Sequence, residues 1–367
     1  MNQSFRWIAS IALLTAISQT APSFAVTNRR AATGQIVQIQ GEVKLLRSRD
    51  RALVPTLGTT LYANDQLIAA SGAQVKIQCA DLSIQTVKAG AQHANPCQSQ
   101  SAAQQANKCP GLIECPHRGD TIARHNPAIP AIVSPRRTAI LADQPTLRWQ
   151  AVPGTSEYIV RVDDATTGES LWQATTPNTT LEYAGPPLPL GGRYWLMVET
   201  NTGKSSLDES VSPGAAGLHF TRLDTTEAEQ LETEAARLRS QDWPTSAKTL
   251  ALANLYRDNN LVTAAIDQLE TLCQDTTETA PLRRQLGDLY WRTLSIAPQA
   301  NEHYAKALTL VNPDDLEERA AILDGLGQTY LSLGQPDQAT PILQEAIQLY
   351  QSLGNRDRAK VLRSQLP

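Results

Sequence analysis

The sequence predicts a multidomain chain, β then α. Two small all-β domains precede an α-helical solenoid built from a repeated hairpin. Three observations predict this. First, one residue series recurs in the C-terminal part. Leu286-Gly287, Tyr290, Ala300, Tyr304 and Ala307 are echoed by Leu326-Gly327, Tyr330, Ala339, Leu343 and Ala346, and an earlier copy runs Leu252-Ala253, Tyr256, Ala265, Leu269 and Leu272. Tyr256 to Tyr290 is a step of 34 residues and Tyr290 to Tyr330 a step of 40. Second, short alternating apolar-polar runs between turn residues recur from 33 to 223, the pattern of half-buried strands. Third, alternation gives way to helical spacing at Asp224-Thr225-Thr226-Glu227. A chain of 367 residues is also too long for a single core.

Residues 1–25 read as a secretory signal. Arg6 supplies positive charge, 7–17 is a short apolar run, and Ser23-Phe24-Ala25 fits small-x-small cleavage before Val26. The run is shorter than the ~20 residues of a spanning helix, and no later run is long enough. The expectation is a periplasmic or secreted protein with no transmembrane segment after signal cleavage. The net charge of −4 argues against a nucleic-acid binder. From 26 to 125, eleven Lys/Arg stand against six Asp/Glu. A solvated surface explains this, and an anionic cell-wall polymer at the first β-domain is the alternative partner.

Residues 33–90 read as the first β-domain. Val75, Ile77 and Cys79 alternate with Lys76 and Gln78, which places one set in a core and the other in water. Gly34-Gln35-Ile36-Val37, Gly41-Glu42-Val43, Gly58, Leu61, Asp65-Gln66-Leu67-Ile68 and Gly72-Ala73-Gln74-Val75 resemble the FecR family of extracytoplasmic β-domains. The resemblance implies a small β-sandwich or β-roll. Familiar members signal across an inner membrane through a membrane helix, which this chain does not present.

Residues 91–127 read as a Cys-containing linker rich in Ala, Gln, Ser, Asn and Pro. Cys79, Cys97, Cys109 and Cys115 are disulfide candidates, because four clustered cysteines in an exported chain predict two bridges in one of three connectivities. His93, His117 and His125 lie nearby. Cys109-x5-Cys115-x-His117 is not a tight zinc spacing, so no metal is expected. Cys273, on the apolar side of a helix, is expected to be a buried free thiol.

Residues 128–223 read as the second β-domain. Its runs are Thr146-Leu147-Arg148-Trp149, Tyr158-Ile159-Val160-Arg161-Val162, Ser170-Leu171-Trp172, Leu181-Glu182-Tyr183, Arg193-Tyr194-Trp195-Leu196-Met197-Val198 and His219-Phe220. The early Trp and the late Tyr-x-Leu-x-Val strand resemble the fibronectin type III sandwich, which implies a fold more than a function. Trp149, Trp172, Tyr194 and Trp195 can serve the core or line a glycan-binding face. Tyr194 and Trp195 are adjacent on a strand, so one of them points outward or to a domain contact.

Residues 224–245 read as an entry helix, capped by Asp224 or Thr225, with Leu231, Ala235 and Leu238 on one face and Trp243-Pro244 as its stop. Residues 246–353 hold the three repeated hairpins. Their series resembles the tetratricopeptide repeat, so the fold reading becomes two small all-β domains followed by an α-helical tetratricopeptide repeat solenoid. Leu286 and Tyr290 share one helix face, and Ala253, Gly287 and Gly327 are small where helices cross. Burying each Leu or aromatic contributes about 1.5–3 kcal/mol, which offsets the cost of about 1 kcal/mol for a helical Gly. The second repeat carries one extra residue near Pro298. Residues 354–367, with Arg356, Arg358, Lys360 and Arg363, read as a polar capping helix.

The other face of the first helices is the candidate site. Arg284, Asp288, Trp291 and Arg292 recur at i, i+4, i+7 and i+8, with Asn254, Arg257 and Asp258 before them and Asp324, Gln328 and Leu331 after. The resemblance implies that this face lines a concave groove. A protein or peptide partner is expected there, with Trp291 as anchor and Arg as carboxylate clamp. The partner-binding set is Asn254, Arg257, Arg284, Asp288, Trp291, Arg292, Asp324 and Gln328. A solvated helix face is the competing reading. No nucleophile elbow, His-Glu-x-x-His, phosphate loop or calcium loop occurs, so neither catalysis nor a cofactor is expected. The chain reads as a non-catalytic exported scaffold. A cell-wall or glycan-binding module, and an enzyme with an unrecognised site, are the alternatives.

Overall fold

The computed structural model describes residues 32–48, 51–90, 92–97, 122, 124–209, 218–274 and 277–366. The expected signal at 1–25, most of the linker, and Cys109 and Cys115 lie outside them.

The first β-unit holds strands β1 (Ala32–Gln40), β2 (Val43–Ser48), β3 (Arg51–Leu53), β4 (Thr60–Tyr62), β5 (Gln66–Ala69), β6 (Gln74–Cys79), β7 (Ile84–Lys88) and β8 (His93–Ala94). They form two antiparallel sheets, ordered β4-β1-β6-β7 and β3-β2-β5-β8. Ile36, Leu45, Leu61, Leu67, Val75 and Ile77 fill the space between. β8 pairs with β5, so the unit runs past the expected end at 90. Cys79 pairs with Cys97, and the bridge crosses β1 at Gly34, where a Cβ would lie 2.8 Å from Cys97 Sγ. That contact requires glycine.

The alternation of β1 is interrupted. Its register against β6 shifts between Ile36 and Gln38, a bulge that adds one residue to β1. Ile36 therefore packs inside the sandwich and Ile39 returns to that core, while Val37 joins the apolar cluster of the helical part. Gln78, expected to face water, is instead buried. The face it shares with Gln35 is covered by helices.

The second β-unit holds β9 (Ile132–Ser134), β10 (Ala139–Ile140), β11 (Thr146–Trp149), β12 (Tyr158–Asp164), β13 (Ser170–Thr176), β14 (Thr180–Glu182), β15 (Arg193–Thr200) and β16 (His219–Arg222). A sheet ordered β10-β16-β15-β12-β13 packs on one ordered β14-β11-β9. Trp149, Tyr158, Tyr183, Tyr194, Leu196 and Phe220 lie between them. The Tyr194 hydroxyl donates to the Pro189 carbonyl at 2.9 Å, closing the corner that leads into β15. Tyr194 is buried and Trp195 half-buried, so Trp195 is the outward member of that pair.

The helical unit holds α1 (Thr225–Arg239), α2 (Thr245–Asp258), α3 (Val262–Gln274), α4 (Ala280–Asp288), α5 (Ala297–Leu310), α6 (Leu316–Ser332), α7 (Pro336–Ser352) and α8 (Arg356–Gln365). Asp224 caps α1 by accepting from the Glu227 N–H at 2.8 Å, and Glu227 reaches back to the Asp224 N–H. α1 ends at Arg239, before Trp243-Pro244; Pro244 instead takes the N-cap position of α2. α2–α3, α4–α5 and α6–α7 are the three hairpins. A single π turn, Leu289–Thr293, extends α4 and carries Trp291 and Arg292. The Tyr304 ring fills the crossing of α4, α5 and α6. Cβ atoms at Gly287 and Gly325 would lie 2.7 and 2.5 Å from its Cε1.

The second β-unit grips the hairpin turns. The Val262 N–H donates to Thr138 Oγ1 at 2.8 Å, and the Ala139 N–H donates to the Asn260 carbonyl at 2.8 Å. Arg137 reaches Ser295, and the His125 N–H, on the segment leading into this unit, donates to the Ser332 carbonyl. Arg148 pairs with Asp267 of α3 at 3.2 Å.

Candidate functional site

One face of α2, α4 with its π turn, and α6 gathers the eight sequence-predicted residues, but the sheet β4-β1-β6-β7 lies over its first half. Asn254, on α2, is only 1% exposed. Its Nδ2 donates to Gln35 Oε1 and Gln78 Oε1, both at 2.8 Å. Gln35 passes the network on by donating to the Gly58 carbonyl at 2.8 Å. One turn along, Arg257 is largely buried. Its Nε lies 3.4 Å from Asp258 Oδ1, and NH1 donates to Gln285 Oε1 at 3.4 Å. Burial pushes the Arg257 guanidinium below its ordinary value, against the pull of Asp258.

On α4, Arg284 donates from Nε to Glu318 at 2.7 Å, from NH1 to Asp288 at 2.6 Å and from NH2 to Thr60 Oγ1 at 3.4 Å. Burial acts to lower the Arg284 guanidinium, but Glu318 and Asp288 outweigh it and hold it well above its ordinary value. Burial raises the Glu318 carboxyl, with Arg284 opposing. Asp288 also accepts from the Tyr304 hydroxyl at 2.7 Å and pairs with Arg292 at 2.9 Å. Trp291, half-buried in the π turn, donates to Gln328 Oε1 at 3.2 Å. On α6, Asp324 is 0% exposed and takes both Nε and NH2 of Arg358, each at 2.6 Å. Gln328 and the Tyr350 hydroxyl also donate to it.

The expectation of an open groove therefore needs correction at five of the eight positions, because Asp324 and Gln328 of α6 are buried as well as Asn254, Arg257 and Arg284. Asn254, Arg257 and Arg284 do not face open solvent, because the first β-unit covers them. Arg47 of that unit reaches Asp315 at the start of α6, at 3.0 Å. Beyond it, Asp288, Trp291 and Arg292 line the uncovered half, while Asp324 is closed over by Arg358 of the capping helix. The residues missed from the sequence are the covering ones: Gln35, Arg47, Gln78 and Arg358. Gln35 and Gln78 sit at strand positions that read as water-facing, and nothing local marks them otherwise.

Behind the groove, the helices form a second buried polar cluster. The His303 ring stacks on Tyr290 at 5.4 Å, and its Nδ1 lies 3.1 Å from Arg283 NH1. Burial and then Arg283 lower its pKa to about 4. An unfolded histidine titrates near 6.5, so only the unfolded chain takes up a proton between these values. The stability held by neutral His303 is full above about pH 6.5 and is lost as pH falls toward 4, by about 3 kcal/mol in all. Urea midpoints measured across this range should fall with acid, and His303→Gln should flatten that part of the profile. Cys273, nearby on α3, is a buried free thiol.

A family model described as tetratricopeptide repeat matches residues 277–352. That segment is similar to the tetratricopeptide repeat. It spans the second and third hairpins, and α2–α3 repeats their arrangement. No curated protein matches the chain. Among solved structures, the MamA protein is 22% identical, covering 38% of this chain and 73% of its own, with a TM-score of 0.25. The TPR-like repeats of a Podosopora anserina kinesin light chain are 22% identical, covering 38% and 84%, with a TM-score of 0.27. A β-1,2-glucanase from Parabacteroides distasonis is 9% identical over 83% of this chain and 61% of its own, with a TM-score of 0.21. At these TM-scores none of the three carries an argument about function. Among the described residues, no helix is long and apolar enough to cross a membrane.

Proposed function

We propose that this chain is an exported, non-catalytic scaffold that holds protein or peptide partners through its tetratricopeptide repeats in the cell envelope. The carrying observation is the family match over 277–352, together with the helix face on which Asp288, Trp291 and Arg292 converge. Such a face offers an aromatic anchor beside a guanidinium, the pairing that dominates many protein interfaces. The secretory pattern of residues 1–25 supports export. The four-on-four sandwich supports a FecR-like reading of the first unit. The five-on-three sandwich with its Tyr194 corner supports a fibronectin type III-like reading of the second.

The test is a quantitative pull-down from the native envelope with wild type, Trp291→Ala and Arg292→Ala, each checked for its melting temperature. Truncating an aromatic anchor costs about 2 kcal/mol or more, so the affinity of the captured partner should fall about thirtyfold for Trp291→Ala. Unchanged capture by a folded Trp291→Ala protein would overturn the groove assignment.

A further inference from the structure

The first β-unit meets the repeat groove mainly through polar groups. Over the first two repeats it supplies mostly acceptors, with Gln78 Nε2 also donating to the Ala251 carbonyl at 3.5 Å. Gln35 and Gln78 accept from Asn254, the Leu57 carbonyl accepts from the Thr279 hydroxyl at 2.7 Å, and Thr60 accepts from Arg284. At the third repeat it supplies a cation, Arg47, to Asp315. The groove is thus donor-rich at one end and acidic at the other. The apolar part of the contact is narrow, with Val37, Leu57 and Leu82 the residues of this unit that join the helical cluster.

The fit is incomplete. Arg257 NH2 and Gln285 Nε2 are buried donors with no hydrogen-bond partner among the described residues, and Asn254 Oδ1 is a buried acceptor in the same condition. The two donors belong to neighbouring side chains, since Arg257 NH1 donates to Gln285 Oε1. Leaving a buried donor of a charged group unpaired costs more than a hydrogen bond gains. A cleft of about 400 Å³ also opens along the seam, between Val37–Ile39 with Leu57 on one side and Ser246 with Thr279 on the other. Polar, imperfectly paired contacts of this kind characterise separable domain interfaces rather than fused cores.

We propose that the first β-unit is a resident but replaceable occupant of the repeat groove, displaced by an extended acidic peptide that places a carboxylate over Arg257 and Gln285. This rests on the reading of the groove as a partner site. The incoming carboxylate satisfies two donors that the resident leaves unpaired, and its main-chain carbonyls replace the acceptors of Gln35 and Gln78. The β-unit thereby sets a threshold for partner binding and selects against neutral peptides.

The full-length chain tests this with azidophenylalanine at Val54 and at Leu310, which are 69% and 38% exposed, labelled as an energy-transfer pair. The probes are a decapeptide of alternating Asp and Ser and its Asn counterpart. The expected result is one high-transfer population that the Asp peptide converts to low transfer and the Asn peptide does not. Asn254→Ala strips Gln35 and Gln78 of their shared donor, and should lower the Asp peptide concentration for half conversion at least tenfold. Thr60→Val, which removes the acceptor facing Arg284, serves should Asn254→Ala not fold. If the Asp peptide binds by anisotropy while transfer stays high in wild type and variant, the resident is permanent and this inference fails, although the partner site stands. If the variant shows low transfer yet binds neither peptide, the acidic ligand is wrong and the groove reading falls with it.

Discussion

Arg358→Ala should destabilise the protein by about 3–5 kcal/mol, the largest single effect expected of any ionic substitution here. Asp324 lies in the middle of α6 with no solvent exposure, and both of its carboxylate oxygens are held by Arg358. Removing the guanidinium leaves a buried charge that Tyr350 and Gln328 only partly satisfy. The cost is that of an unpaired buried charge, not the net worth of the pair. Replacing both residues, as in Asp324→Leu with Arg358→Met, should therefore recover most of the loss. Urea unfolding followed by circular dichroism measures both. Arg363→Ala, at an exposed position of the same helix, is the control and should change stability by less than about 0.5 kcal/mol. A double variant as unstable as Arg358→Ala would place the effect in the helix rather than in the charge.

Gly325→Val should cost about 3–4 kcal/mol. The Cβ would enter the ring of Tyr304, which has no room to retreat because Gly287 bounds its other side. Tyr304 is fully buried, and its hydroxyl is fixed on Asp288. The substitution forces apart α4 and α6, the two helices that carry the groove. In a Tyr304→Leu background the same change should cost markedly less, because the smaller side chain yields the space. Thermal melts of the four proteins measure this coupling. Strict additivity would mean that the ring and the glycine do not compete for one volume.

The repeats were legible because their residues must satisfy neighbours at fixed offsets. Gly287 and Gly327 stand out in the recurring series, and Cβ atoms there would meet Tyr304 and Leu343 at 2.7 and 2.5 Å. Gly325 does an equal job but falls outside the series, so periodicity passes over it. The groove residues were legible as a face, because helical spacing puts Arg284, Asp288, Trp291 and Arg292 together. What lies on that face was not legible. Gln35 and Asn254 are 219 positions apart, and a glutamine at an alternating strand position looks the same whether it meets water or a buried amide. The bulge at Val37 was equally silent, because it follows from how β1 must serve two cores at once. Pro244 suits the stop of one helix and the start of the next equally well, and it takes the second role.

A stack whose units touch only their neighbours flexes along its length like a spring. Here Asn260, Ser295 and Ser332, one from each hairpin turn, are bonded to the second β-unit or to the segment entering it. The sandwich acts as a splint along one edge of the coil. Each hairpin turn is thus tied to the same neighbour, so a change in the spacing of the turns must also strain the second β-unit.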